Sequence, residues 1–336
     1  MTNPTASKFT GKKIILGTIV GAPVMIILGL YISYRINLRP VATTGAAQEF
    51  VVASGENAPK IGQRLVDAGL LRDRNAFVTY VNFHGLRPRL KVGRYQLAPT
   101  QSGAQIADIL AGGRTITKRL VVPEGYTLAQ IEAAAAAQGI PAADFKAALA
   151  APHTQSFLAT KPSDVDLEGY LFPDSYQIGA DTTAAQLVNS MLGAFEQRIG
   201  TAYDADFKTQ GLSLHEGLTL ASIVERETNI AADRPIVAQI FLKRYRTGQS
   251  LGSDVTTEYA AKRLGVPFNI NIDSKYNTRR YVGLPPGPIC SPGLTAMDAV
   301  AHPANTDYLY FLSGKDGKTH FAKTYAEHQA NIVKYL

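Results

Sequence analysis

FVVASGENAPKIGQRLVDAGL, residues 50–70, returns seventy positions later as LVVPEGYTLAQIEAAAAAQGI, residues 120–140. The match pairs Val51 with Val121, Val52 with Val122, Gly55 with Gly125, Ile61 with Ile131 and Gly69 with Gly139. Each copy reads as a short apolar strand, a Gly turn, an amphipathic helix and a Gly followed by an apolar residue, the pattern of a helix C-cap with its hydrophobic contact. Outward from the first copy, the pattern predicts a helix around Asn75 to His84, a strand around Arg89 to Leu97 and a short helix from Ser102 to Leu110, ending at Gly112-Gly113. Two strands and two or three helices in residues 49–115 make a small α+β module. Residues 116–336 carry the second copy and then mixed elements. Helices are expected near Ala184 to Ile199, His215 to Glu227 and Pro235 to Arg246, a Gly/Pro-rich stretch from Val282 to Gly293, and a strand at Tyr308 to Leu312. The elements do not alternate regularly, so the fold class is mixed α+β and not a doubly wound sheet. Neither a GxGxxG fingerprint nor a P-loop occurs, which removes nucleotide chemistry.

Upstream of the repeat, Ile14 to Tyr34 contains no charged side chain. About twenty residues at ~1.5 Å rise cross a ~30 Å hydrocarbon core, so 14–34 reads as a single transmembrane helix. Arg35 and Arg39 follow directly and no small-x-small cleavage site closes the run, which favours an uncleaved anchor over a signal peptide. Three Lys before the helix against two Arg after it place residues 1–13 in the cytoplasm by the positive-inside rule. Residues 35–48, ending in VATTGAAQ, read as a short linker. The net charge of +7 over 336 residues comes largely from this arm, since Lys8, Lys12, Lys13, Arg35 and Arg39 all precede the first acidic residue, Glu49. The remainder is nearly neutral, and a nucleic-acid partner is not indicated.

Chemistry points to carboxylates. The stretch LTLASIVERET, Leu218 to Thr228, sets Glu225 and Glu227 within or beside an apolar helix, where an acid is costly unless paired or used. At ~100° per residue the two point about 200° apart and cannot act on one bond together. Periodicity alone does not choose between them, and pairing with Arg226 or another cation is the structural alternative. LEGYLFPDSY, Leu167 to Tyr176, combines aromatic and acidic groups as sugar sites do, and equally as a packed loop does. Tyr276-Asn277-Thr278 and the GLPPGPICSPG segment, Gly283 to Gly293, read as a rigid loop. Cys290, the single cysteine, lies in that loop and reads as a small buried hydrophobe. Six scattered His give no metal-ligand spacing, so neither a metal nor a cofactor is expected.

In this order behind one N-terminal anchor, LEGYLFPDSY, LTLASIVERET, YNT, GLPPGPICSPG and AHPANTDYLYF resemble the YceG-like family of endolytic murein transglycosylases. The resemblance implies an inner- or plasma-membrane protein with its folded part outside the cytoplasm, a LysM-like module at 49–115 and a catalytic domain at 116–336. It implies a lytic transglycosylase that cuts peptidoglycan glycan strands beside cell-wall synthases and limits strand length. It makes Glu225 the catalytic acid, with a pKa raised by apolar surroundings such as Ala221 and Val224. It also carries Asp174, Asp254, Tyr276 and Asn277 over as cleft residues. Two departures stand out: Leu251-Gly252-Ser253-Asp254-Val255-Thr256 replaces the family's LQSDPT, and Arg279-Arg280 is inserted before Tyr281. A muramidase using water would need a second carboxylate ~5–9.5 Å from Glu225, for which Asp174 or Asp254 is available. A glycan-binding scaffold without activity is the remaining reading.

Overall fold

The computed structural model describes residues 25–336. Residues 14–24 of the expected membrane helix therefore lie outside the described residues. The rest of that segment belongs to a helix over 25–37, α1, and among the described residues no helix is long and apolar enough to cross a membrane. The chain divides into two units, Met1–Thr117 with Gly179–Asp181, and Lys118–Ile178 with Thr182–Leu336. The architecture is mixed α+β, with helices and, among the described residues, three two-stranded antiparallel sheets.

In the first unit β1 (Gln48–Val52), α2 (Ala58–Asp67), α3 (Arg74–Phe83) and β2 (Gly93–Leu97) follow in order, and β1 pairs with β2 in a register that sets Phe50 opposite Tyr95. Asn57 caps α2 and Asp73 caps α3, each accepting a backbone N–H of the first turn. The strand expected from Arg89 begins only at Gly93, because Arg87–Arg89 coils into a 3-10 turn containing Pro88. α4 (Gly103–Gly112) starts from a capping box of Ser102 and Gln105 and ends on Gly113. Ile61, Leu65, Phe77, Tyr95, Leu97, Ile106 and Leu110 fill the core between these elements. Part of the expected linker is held against this unit. Gly103 N–H donates to Leu38 O, the Arg72 guanidinium to Pro40 O and Val41 O, and Ala42 N–H to Pro99 O.

The second unit opens with β3 (Lys118–Val121), α5 (Leu128–Ala137) and α6 (Ala142–Ala150), and β4 (Ser175–Ile178) closes back on β3 with Leu120 opposite Tyr176. The repeat thus extends further than the sequence match. Both copies run strand, helix, helix, strand, and the second carries residues 151–174 as an insertion before its last strand. Gly55 and Gly125 occupy the same turn position at the same φ of +79°, which an L side chain rarely adopts.

α7 (Ala184–Arg198), α8 (Gly200–Thr209), α9 (Leu214–Glu227), α10 (Arg234–Arg246), α11 (Asp254–Leu264) and α12 (Leu294–Ala301) follow, with β5 (Tyr310–Ser313), β6 (Thr319–Ala322) and α13 (Tyr325–Tyr335) at the end. α9 is the centre of this unit. It packs against α8, α10, α11 and α12, so everything from Gly217 to Glu225 is buried and no polar face remains. Ser213 and Glu216 form the capping box that starts it.

Candidate functional site

Burial of α9 from Gly217 to Glu225 forces each polar side chain of that stretch to find a partner, and these partners assemble the site. Thr219 returns its hydroxyl to His215 O, and Ser222 to Thr219 O. The Ser222 hydroxyl also accepts from Ile289 N–H, and the Cys290 thiol donates to Ser222 O, so the Gly/Pro-rich loop is strapped along the helix. The same loop is tied to the turn after β3, with Gly125 N–H donating to Ser291 O and Ser291 N–H to Tyr126 O. His215 Nε2 donates to Pro286 O, which can only accept. Nδ1 therefore accepts from the Tyr170 hydroxyl, fixing one neutral tautomer.

At the C-terminal end of this strap lies Glu225, buried at 7% exposure. Its Oε1 accepts from Arg234 Nη2 at 2.7 Å and its Oε2 from Gly293 N–H at 3.1 Å. Arg234 is equally buried and also donates to Thr228 O and to the Thr295 hydroxyl. Beside the buried Ala221 and Val224, a charged and a backbone donor face the carboxyl. Arg234 reaches it because the 3-10 turn Ala231–Asp233 brings the first residue of α10 back over the end of α9, and the N–H comes from Gly293 at the end of the Gly/Pro-rich loop.

A second carboxyl shares this corner. Gly293 has no side chain because Glu124 occupies the space. A Cβ built there would meet the Glu124 carboxyl carbon at 1.9 Å and its oxygens at 2.0 and 2.3 Å. The carboxyls of Glu124 and Glu225 therefore approach the same residue from two sides. Burial first, and then the Glu225 charge, push the Glu124 pKa up, while Arg234 opposes the rise. Gly293→Ala is expected to displace the Glu124 carboxyl at a cost below about 1 kcal/mol, since the moving group is the open end of a side chain. The Glu124 titration followed by carbon NMR should then fall back toward the ordinary carboxylate range.

Glu227 faces elsewhere, as its ~200° separation from Glu225 requires. Its Oε1 accepts from the Ser253 hydroxyl at 2.5 Å, and burial raises its pKa against the pull of that hydrogen bond. Asp254 lies beside it but is clamped by the inserted Arg279, with Nε to Oδ1 at 2.5 Å and Nη2 to Oδ2 at 2.9 Å. Asp174 sits at the head of β4, where its backbone carbonyl accepts from Val122 N–H and its side chain lies 3.7 Å from Arg198. Neither aspartate is bonded to Glu225 or to its partners. Tyr276 is packed on Tyr259, with ring centroids 5.0 Å apart. Asn277, at 0% exposure, uses both amide hydrogens on Ile270 O and Ile272 O and accepts from the Thr257 hydroxyl and Arg279 N–H. Through these four hydrogen bonds Asn277 holds the loop around it together.

Glu168, from the LEGYLF segment, is 3% exposed and accepts from Leu128 N–H at 2.9 Å and from the Tyr259 hydroxyl at 3.1 Å. Burial outweighs both donors and lifts its pKa to about 7. A carboxyl whose folded pKa lies above its unfolded value stabilises most below the unfolded value, and that contribution is lost as pH rises from about 4.5 to about 7. Glu168→Gln should escape this loss. Its stability relative to wild type, measured by urea unfolding, is expected to improve by on the order of 3 kcal/mol between pH 4.5 and pH 8.

Among the described residues no cluster of three or more His, Cys, Asp or Glu is placed to hold a metal ion. Cys290 is fully buried and burial raises its pKa far above the usual thiol range, which leaves it an unreactive core residue. Glu124 and Arg234 are the site residues that sequence reading passed over. Glu124 stands in a Gly turn that reads as a strand-to-helix connection, and Arg234 stands nine positions from Glu225 across a turn that periodicity does not reveal.

A family model described as "YceG-like family" matches residues 50–334. The "Endolytic murein transglycosylase" of Bacillus subtilis (strain 168) is 32% identical over 333 residues, covering 93% of this chain and 91% of the relative. The protein of the same name from Streptococcus pneumoniae serotype 2 (strain D39 / NCTC 7466) is 32% identical over 322 residues, covering 85% of this chain. The chain spans only 58% of the length of that pneumococcal relative. A crystal structure of a yceG-like protein from Listeria monocytogenes superimposes with a TM-score of 0.56 at 32% identity, covering 85% of this chain and 99% of the other.

Proposed function

The chain belongs to the YceG-like family, and on that premise we propose that it is an endolytic murein transglycosylase whose reaction turns on Glu225. The observation that carries this reading is the corner where Glu225, Glu124 and Arg234 meet at Gly293. Around that glycine the Glu225 charge adds to burial in raising the Glu124 pKa, and Arg234 opposes the rise. In the reaction Glu225, in its protonated form, gives its proton to the oxygen between N-acetylmuramic acid and N-acetylglucosamine as the C1–O bond breaks. The 6-hydroxyl of the same muramic acid attacks C1, its proton passing to the carboxylate just formed, and a 1,6-anhydro end results without water. One proton leaves Glu225 and one returns, so the carboxyl is regenerated.

The remaining parts follow the same reading. Residues 49–115 are a LysM-like glycan-binding module, a reading supported by the strand–helix–helix–strand order and the pairing of β1 with β2. Residues 14–34 anchor the protein in the plasma membrane with both folded units outside the cytoplasm. The uncharged run in the sequence and the exposed Met25, Ile26, Ile27 and Leu30 of α1 support the anchor. Cutting beside cell-wall synthases would limit strand length. The rival is a muramidase, in which a second carboxylate such as Asp174 or Asp254 would activate water.

The test is to incubate the full chain with long purified glycan strands and follow their length distribution. Endolytic cutting is expected to shift the whole distribution to shorter strands before small fragments accumulate. Release of terminal disaccharides from strands of unchanged length would count against an endolytic enzyme, and unchanged strands would favour the binding scaffold.

A further inference from the structure

Beyond the carboxyl corner, the second unit holds a cavity of about 720 Å³ between the start of α5, α6 and α11, within the size range of small-molecule sites. Its apolar walls come from Leu128, Leu149, Val255, Tyr259 and Ile289. Two ion pairs among its lining residues are already closed, Lys146 with Glu132 at 3.4 Å and Arg263 with Asp166 at 2.9 Å. Three lining charges are not: the side chains of Arg226, Lys262 and Glu258 make no hydrogen bond or ion pair among the described residues. Tyr259, the cavity's ring, has its hydroxyl committed to Glu168.

This chemistry is amphoteric. Two free cations suit carboxylates, a free carboxylate suits an ammonium group, and the apolar walls suit methyl groups. A glycan ring offers none of these charges and would ask instead for several aromatic faces and neutral donors. The cavity also adjoins the carboxyl corner through the chain itself. Arg226 follows Glu225 on α9, and the turn that carries Glu124 and Gly125 continues into Thr127 and Leu128 of the cavity wall.

We propose that this cavity binds a short peptide carrying both carboxylates and an amine, and, resting on the murein reading, that this peptide is the stem borne by the muramic acid whose bond is cut at Glu225. Arg226 and Lys262 take the peptide carboxylates and Glu258 takes the side-chain amine. The enzyme would then prefer strands that still carry stems over strands stripped of them.

The probe is the isolated tetrapeptide L-Ala-γ-D-Glu-L-Lys-D-Ala, titrated into the full chain by NMR or calorimetry. Binding is expected, weakened about tenfold or more by Lys262→Glu, which sets like charge against a carboxylate. Ala129→Trp, at an exposed wall position, is expected to block it. With strands as substrate, the kcat/KM ratio of stem-bearing to stripped strands should fall toward one in both variants. No binding by wild type, or binding that both variants leave unchanged, overturns the proposal. If wild type binds the tetrapeptide with the expected sensitivity yet cuts neither kind of strand, the peptide site stands and the transglycosylase reading fails.

Discussion

Glu225→Gln is expected to reduce strand cleavage by about 10²–10⁴-fold or more, the usual contribution of a positioned proton donor. The amide preserves size but has no proton to deliver and cannot accept one from the 6-hydroxyl. Folding should survive at a modest cost. The carboxyl accepts from two donors, Arg234 Nη2 and Gly293 N–H, whereas an amide presents one acceptor oxygen and one donor nitrogen. One of the two donors is left facing an NH₂ group, which costs about 1–3 kcal/mol. Cooperative unfolding at slightly lower urea, with cleavage lost, is the expected outcome. Wild-type-like turnover would remove Glu225 from the chemistry.

Arg234→Met is expected to destabilise the second unit by about 3–5 kcal/mol, because removing one member of a buried ion pair leaves the other uncompensated. The pair is 8% and 7% exposed at 2.7 Å, and Arg234 further satisfies Thr228 O and the Thr295 hydroxyl. Arg234 also holds down the Glu124 pKa, so its loss should push the Glu124 titration further up. Combining Arg234→Met with Glu225→Gln removes the stranded charge. The double variant should be more stable than the sum of the single losses by about 1–3 kcal/mol in a double-mutant cycle. Strict additivity would mean that the two side chains do not interact.

The first copy of the repeat was legible because its turn chemistry is local. Gly55 and Gly125 share one conformation, and Asn57 and Thr127 cap the helices that follow. The closing strand of the second copy was not legible, since residues 151–174 intervene before β4. α11 was missed for another reason: Thr256 and Thr257 are fully buried, yet as polar residues they break the apolar periodicity that marks a helix. At the site, the motif around Glu225 stood out, but its partners did not. Gly293 contributes a backbone N–H and room for the Glu124 carboxyl, Arg234 arrives by a turn, and Glu124 comes from another turn about a hundred positions away.

The most direct measurement is mass spectrometry of the ends produced when the full chain cuts purified peptidoglycan, with Glu225→Gln as control. Muramic acid ends in the 1,6-anhydro form, lighter by one water than reducing ends and absent from the variant, are the expected result. Reducing ends dependent on Glu225 would contradict the transglycosylase reading and require a second carboxylate that activates water.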